Sequence, residues 1–219
     1  MYLDFVSPYT YLALVQADRF ASQYDVAWQL RPVVYGVLLD QTGLVGPVET
    51  EAKRRYTFQD VSRAAELLQV PMVGPPAHPF RSLEALRLLV AYGDDDVALP
   101  LAQGLATAAW GHGEDLTQTA VLARLAAAAG AAGRPVAELV SDPDVKLALR
   151  DNTERAIAHG VFGVPTFEYE GELFWGHDRL PHLAARLEGE LGPAGDRAAK
   201  ILARPRGIDR RGVRSARDG

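Results

Sequence analysis

Ser7 stands directly before Pro8, where an apolar run gives way to a helical pattern, and its hydroxyl is the first group placed to do chemistry. Serine before proline is a good helix start: the hydroxyl can cap, and proline at the first helical position forfeits no needed hydrogen bond. The free N–H groups and dipole of that first turn also favour an anion. Ser7 is therefore either a plain N-cap or a hydroxyl that meets an anionic ligand. A serine-hydrolase role fails, because no serine lies in a G-x-S-x-G elbow.

Three further segments offer polar groups. In Gly160-Val-Phe-Gly-Val-Pro-Thr-Phe167 the proline falls between glycine-rich turns and a predicted strand. That invites a cis Val164–Pro165 bond, open at modest cost only to X-Pro pairs, which would turn the Val164 N–H and C=O toward a peptide-like ligand. An ordinary trans proline opening an edge strand fits the same residues. In Trp175-Gly-His-Asp-Arg-Leu180, Asp178 and Arg179 precede a helix and can either hold the charged ends of a zwitterion or form a cap and surface pair. Lys53-Arg-Arg-Tyr56, with Asp60 and Arg63, has the composition of a solvated helix face.

The five histidines (His78, His112, His159, His177 and His182) form no i, i+4 pair and no H-E-x-x-H, so no metal site is expected. With no cysteine, the chain can make no disulfide, iron–sulfur ligation or thiol chemistry of its own. Neither a Walker loop nor a Rossmann glycine fingerprint is present.

These groups need a scaffold, and 219 residues at 48% hydrophobic and 23% charged suffice for a full core. No apolar run approaches the ~18–20 residues of a membrane helix. The opening MYLDFVSPYTYLALV has no basic residue before Arg19, so no secretory signal is predicted and a cytoplasmic location is expected. From Asp196 to Gly219 there are eight Arg or Lys and three Asp, which leaves 15 basic and 25 acidic side chains, a balance of −10, on the rest. Positive charge confined to a Gly- and Arg-rich end argues for a solvated, disordered tail over 193–219 and against a nucleic-acid partner.

Tyr2 to Val6 is predicted as a buried strand interrupted only by Asp4, followed by a helix from Pro8 to Tyr24 and a strand from Val26 to Val34. This β-α-β opening implies a parallel pair. Near the other end, Thr166 to Tyr169 and Leu173 to Trp175 are predicted as a hairpin turning at Glu170-Gly171. Leu180, Leu183, Ala184, Leu187 and Leu191 then mark a helix. Between them, helices are predicted over Lys53 to Leu68, Leu83 to Ala91, Ala98 to Trp110, Leu116 to Ala132 and Asp144 to His159. The pattern is an α/β thioredoxin-like fold split by an inserted all-helical domain. Residues 1–38 and 160–192 form the first part and 39–159 the insertion.

Asp4-Phe-Val-Ser-Pro-Tyr-Thr-Tyr-Leu-Ala13, Gly160 to Thr166 and Phe174-Trp-Gly-His-Asp-Arg-Leu180 together resemble the 2-hydroxychromene-2-carboxylate isomerase family. That family is close to kappa-class glutathione transferases in the disulfide-oxidoreductase-like branch of the thioredoxin superfamily. Gly46-Pro47, the Lys53/Tyr56 spacing and Ala109-Trp110 with Gly113 and Asp115 extend the resemblance, which spans Tyr2 to Leu191. It implies a homodimer that uses glutathione as cofactor and acts on a small aromatic substrate; the short apolar runs noted above separately argue against a membrane partner. Ser7 would hydrogen-bond the glutathione sulfur, and Val164 would pair with the glutathione backbone beside cis-Pro165. Asp178 and Arg179 would take the γ-glutamyl end, with Lys53 and Tyr56 reaching in from the helical domain. The implied reaction is cis–trans isomerisation of the aromatic intermediate by reversible thiolate addition. Leu44 departs from the family, which often carries a glutathione-contacting asparagine there. Two alternatives stay open: a kappa-type transferase, and a non-catalytic module that binds thiols or peptides.

Overall fold

A computed structural model of the protein describes residues 1–93, 95–131 and 133–205. Its sheet has four strands in the order β2-β1-β3-β4, with β1 Tyr2–Leu3, β2 Arg31–Pro32, β3 Thr166–Tyr169 and β4 Glu172–Trp175. β1 and β2 run parallel in the register Tyr2↔Arg31, while β3 lies antiparallel to both β1 and β4. The opening β-α-β half and the closing hairpin thus meet along β1 and β3, giving the expected thioredoxin-like α/β arrangement.

The first two strands are shorter than predicted. At Asp4 the chain turns, because the Asp4 carboxylate accepts the Val6 N–H at 3.0 Å and the Asp4 carbonyl accepts the Ser7 N–H at 3.1 Å. Such side-chain-to-backbone bonding makes aspartate a turn former. β2 is limited in turn by the two residues of β1 available to pair with it.

The predicted helix from Pro8 to Tyr24 is two helices, α1 (Pro8–Leu14) and α2 (Ala17–Tyr24). Gln16 donates to the Leu12 carbonyl at 2.7 Å and Gln103 to the Leu14 carbonyl at 3.1 Å, satisfying oxygens that the helix end releases. Helix α3 (Tyr35–Thr42), not predicted, closes on Gly43 at φ 64°, a left-handed cap that glycine adopts without strain. Next come α4 (Glu51–Leu68), α5 (Leu83–Tyr92), α6 (Ala98–Ala106) and a π turn, Thr107–Gly111. α7 (Thr119–Ala128), the unpredicted α8 (Val136–Ser141) and α9 (Pro143–Ala158) complete the helical segment. A short 3₁₀ turn, His177–Arg179, leads into α10 (Leu180–Leu187), whose Leu180, Leu183 and Ala184 are buried. Met1–Ala184 is one compact unit holding both the sheet and helices α1 to α9.

Ala185–Gly219 is a second unit. Within the tail expected to be disordered, Gly195–Leu202 forms helix α11; the part of that tail at 206–219 lies outside the described residues.

The helical segment grips the loop between β1 and α1. Trp110 is fully buried, and its indole N–H donates to the Phe5 carbonyl at 2.8 Å. The Trp110 carbonyl accepts from Val73 and Gly74 at 2.8 and 2.9 Å, and Tyr11 donates to the Pro71 carbonyl at 2.8 Å. Trp110→Ala should lower unfolding stability by about 3–5 kcal/mol in urea titrations. Trp110→Phe, which keeps a ring but orphans the Phe5 carbonyl, should lose roughly 1–3 kcal/mol. Equal stability of Trp110→Phe and wild type would mean that the indole hydrogen bond does not hold the loop.

Candidate functional site

A cleft of about 1020 Å³ opens over the β1–α1 loop. Its walls come from Val6–Tyr9, the start of α3, the α4 face carrying Thr57, Asp60, Ala64 and Leu67, the segment 78–83, Val164, and residues 175–179. Most of the surface these walls present is apolar, which lowers the competition from water at the polar groups among them.

Ser7 is almost fully buried, and its Oγ donates to the Val164 carbonyl at 3.1 Å. This bond joins two of the candidate segments across the cleft floor. The Val164–Pro165 peptide is cis, and among the described residues no protein acceptor meets the Val164 N–H. Gly163 packs under Trp175; a Cβ at 163 would lie 2.4 Å from the indole nitrogen, so a larger residue would displace that wall.

Asp178 and Arg179 also line the cleft and bond to one another, Arg179 Nη1 donating to Asp178 Oδ2 at 2.9 Å. Gly176 sets their position: its φ of 105° is a glycine conformation, and a Cβ there would sit 2.5 Å from Asp178 Oδ1. Lys53 and Tyr56 are exposed on α4, one turn ahead of Thr57 and Asp60, and are outside the cleft lining. Ser7, Val164, Asp178 and Arg179 are therefore brought to one cavity, Pro165 adjoins it through Val164, and Lys53 and Tyr56 lie outside the lining, Tyr56 near enough to act on the Tyr9 phenol. Leu44 is half exposed and likewise outside the lining.

The structure adds residues that were not singled out. Asp4 is buried in the cleft lining and accepts from Ser82 Oγ at 2.5 Å, Tyr35 N–H at 2.9 Å and Val6 N–H at 3.0 Å. Burial raises its pKa, outweighing those three hydrogen bonds, which act to lower it. Its signal in the sequence was an acid inside an apolar run, a placement that burial penalises unless donors surround it. Tyr9 donates to Asp60 Oδ2 at 2.8 Å, and its ring stacks on His177 with centroids 5.5 Å apart. Burial, then the bond to Asp60, pushes the Tyr9 phenol pKa up, so it stays neutral. His78 bonds through Nε2 to the Val6 carbonyl at 2.9 Å. Among the described residues no group of histidines and carboxylates is arranged to hold a metal ion.

Residues 1–188 match the model of the DSBA-like thioredoxin domain. The chain belongs to that family. Among its relatives, this DSBA-like protein is 29% identical over 192 residues to a 2-hydroxychromene-2-carboxylate isomerase of Sphingobium xenophagum, covering 85% of this chain and 95% of the relative. It is 27% identical over 209 residues to glutathione S-transferase kappa 1 of Rattus norvegicus, covering 88% and 92%. The solved structure of a 2-hydroxychromene-2-carboxylate isomerase superposes with a TM-score of 0.80 at 24% identity, covering 93% of this chain and 98% of that one. By their names these relatives are isomerases and a glutathione transferase. No described helix is long and apolar enough to cross a membrane.

The Asp4 carboxyl gives this DSBA-like domain a pH signature. Folding raises its pKa, so the native state keeps a proton that the unfolded chain releases from about pH 3.9 upward. Its contribution to stability is therefore lost as pH rises through the folded value. Denaturant titrations of wild type and Asp4→Asn should show the wild-type advantage narrowing as pH climbs above about 4. An advantage that widens with pH would mean that the buried carboxylate, with its three donors, is the favoured form.

Proposed function

We propose that this protein is a glutathione-dependent cis–trans isomerase of 2-hydroxychromene-2-carboxylate or a related intermediate of aromatic catabolism. The Ser7 hydroxyl beside Val164, whose N–H meets no protein acceptor among the described residues, is the observation that carries this proposal. An unpaired backbone donor in a largely apolar cleft suits the amide of a peptide-like ligand, and glutathione is one. The Asp178–Arg179 pair at the same cleft matches the ammonium and carboxylate of its γ-glutamyl end. Lys53 and Tyr56 lie one turn from the α4 lining and would hold polar groups at the cleft mouth.

When bound, the thiol supplies a nucleophile that adds reversibly to the conjugated double bond and lets it rotate. The protein's share is to bind, orient and keep charge in place. Ser7 turns its proton from the Val164 carbonyl to the sulfur, exchanging a neutral hydrogen bond for a charge-assisted one. That bond contributes about 1.5–3 kcal/mol in a dry site. The first turn of α1 adds ~0.3–1 kcal/mol; because dipole effects fade within one turn, the shortness of α1 costs little. Together they lower the bound thiol's pKa by about one to three units. Val164 fixes the peptide through its N–H, and the apolar walls exclude water from the aromatic ring. The same proposal includes a homodimer located in the cytoplasm.

A second possibility, net conjugation of an electrophile, is favoured by the kappa-class relative. Free thiol measured during turnover separates the two: it stays constant in isomerisation and falls in transfer. Ser7→Ala should raise the bound thiol's pKa by about one to two units, read from ultraviolet thiolate absorbance. It should reduce kcat/KM for ring opening roughly tenfold or more at neutral pH. Full activity in Ser7→Ala would remove the hydroxyl from the mechanism.

A further inference from the structure

Of the five histidines, only His78 and His177 line the cleft. His78 is committed. Its Nε2 faces the Val6 carbonyl, an acceptor, so that nitrogen carries the proton, and its Nδ1 is buried without a partner and out of reach of a ligand. His177 is different. It is half-buried, stacked on Tyr9 at an interplanar angle of 11°, and among the described residues neither ring nitrogen makes a hydrogen bond. The stack holds the ring by its face, which leaves the nitrogens at its edge open to the cleft. Tyr9 is itself fixed by Asp60, so helices α1 and α4 jointly set the imidazole's orientation. Glycine at 176, with its φ of 105°, places the turn that presents it.

Ring opening of a cyclic hemiketal needs such a group. The bond from the hemiketal carbon to the ring oxygen breaks, and its electron pair leaves with that oxygen as a phenolate. The hemiketal hydroxyl loses its proton and becomes the ketone carbonyl. One proton therefore travels between two oxygens of the same molecule, with no net gain or loss. We propose that His177 is the proton carrier of this cleft, taking the hydroxyl proton on a free ring nitrogen and returning it to the phenolate. The proposal rests on the isomerase assignment above.

The surroundings keep the imidazole neutral at working pH. Burial lowers its pKa below the usual 6.5, against the opposing charges of Asp178 and Asp60. The neutral Tyr9 phenol covers one face, Arg179 lies in the same turn, and Arg63 and Arg81 share the cleft. A neutral base of modest basicity gives its proton back readily.

The test compares wild type, His177→Asn and His177→Gln on 2-hydroxychromene-2-carboxylate with glutathione across pH 5 to 9. Wild-type kcat should fall on an acid limb with a midpoint below 6.5. Both variants should lose about 10²–10⁴-fold in kcat and lose that limb, with thiolate absorbance of the bound thiol unchanged. Added imidazole should restore part of the rate. Variants that retain wild-type kcat and its acid limb overturn the role of His177 and leave the isomerase assignment standing. If wild type turns over no substrate, the isomerase assignment fails, and nuclear magnetic resonance of the His177 imidazole decides alone. That resonance, assigned by its absence in His177→Asn, should titrate below 6.5 and shift when 2-hydroxycinnamate is added. A midpoint above 6.5, or no shift with the probe, overturns the proposal.

Discussion

The loop from Asp4 to Ser7 is buried, and buried backbone groups must find partners. No sheet neighbour supplies them, because β1 ends at Leu3. The Phe5 carbonyl is met by Trp110, the Val6 carbonyl by His78, the Val6 N–H by Asp4, and Asp4 by Ser82 and Tyr35. Three of those partners come from the helical segment, more than seventy residues away in sequence. The helices are therefore more than a cover over the cleft. They complete the hydrogen bonding that lets a serine sit, nearly dry, at the start of α1.

That dependence explains how the cleft can be both apolar and exact in its polar geometry. Each candidate side chain is held by a neighbour: Ser7 by the backbone carbonyl of Val164, and Tyr9 by Asp60, His177 by Tyr9 and Arg179 by Asp178 through their side chains. Held side chains lose little further freedom when a ligand arrives, which is where interactions in a prepared site gain over the same groups in water. The Ser7–Val164 bond also sets a condition on any ligand. An incoming group must be a better acceptor than a peptide carbonyl to draw the hydroxyl away, and an anion meets that condition where a neutral group does not.

Much of this was legible in the sequence. Ser-Pro after an apolar run, the Val-Pro turn and the hairpin at Glu170-Gly171 each lie where they were expected, although the Ser7 hydroxyl makes no cap bond to α1 and donates to the Val164 carbonyl instead. Helices α3 and α8 were missed because eight and six residues give too few turns for a convincing apolar period. Strand lengths were overestimated because the apolar content of Tyr2 to Val6 continues past Asp4 while the hydrogen-bond ladder does not. The placing of Tyr56 and Lys53 outside the cleft lining could not be seen from spacing: α4 presents Thr57, Asp60 and Ala64 inward, and helix rotation is a tertiary property. The pairing of Tyr9 with His177 joins residues from opposite ends of the chain and leaves no local trace.

A chain without cysteine in a DSBA-like domain has no thiol nucleophile of its own. In the cleft, the phenol of Tyr9 is bonded and kept neutral, and the buried carboxyl of Asp4 is occupied by three donors. The rest of the lining carries the Ser7, Thr57 and Ser82 hydroxyls, the Tyr35 phenol, the His78 and His177 imidazoles, the Glu49 and Asp60 carboxyls, the Asp178–Arg179 pair and the arginines of α4 and the 78–83 segment. None of these is a strong nucleophile at neutral pH, so a covalent step in this cleft must draw its nucleophile from the ligand. The architecture is consequently suited to holding a charge and passing a proton. A reactive partner bound there would leave unchanged if the outcome is isomerisation and be consumed if it is transfer, so the fate of the ligand's nucleophile is what separates the two.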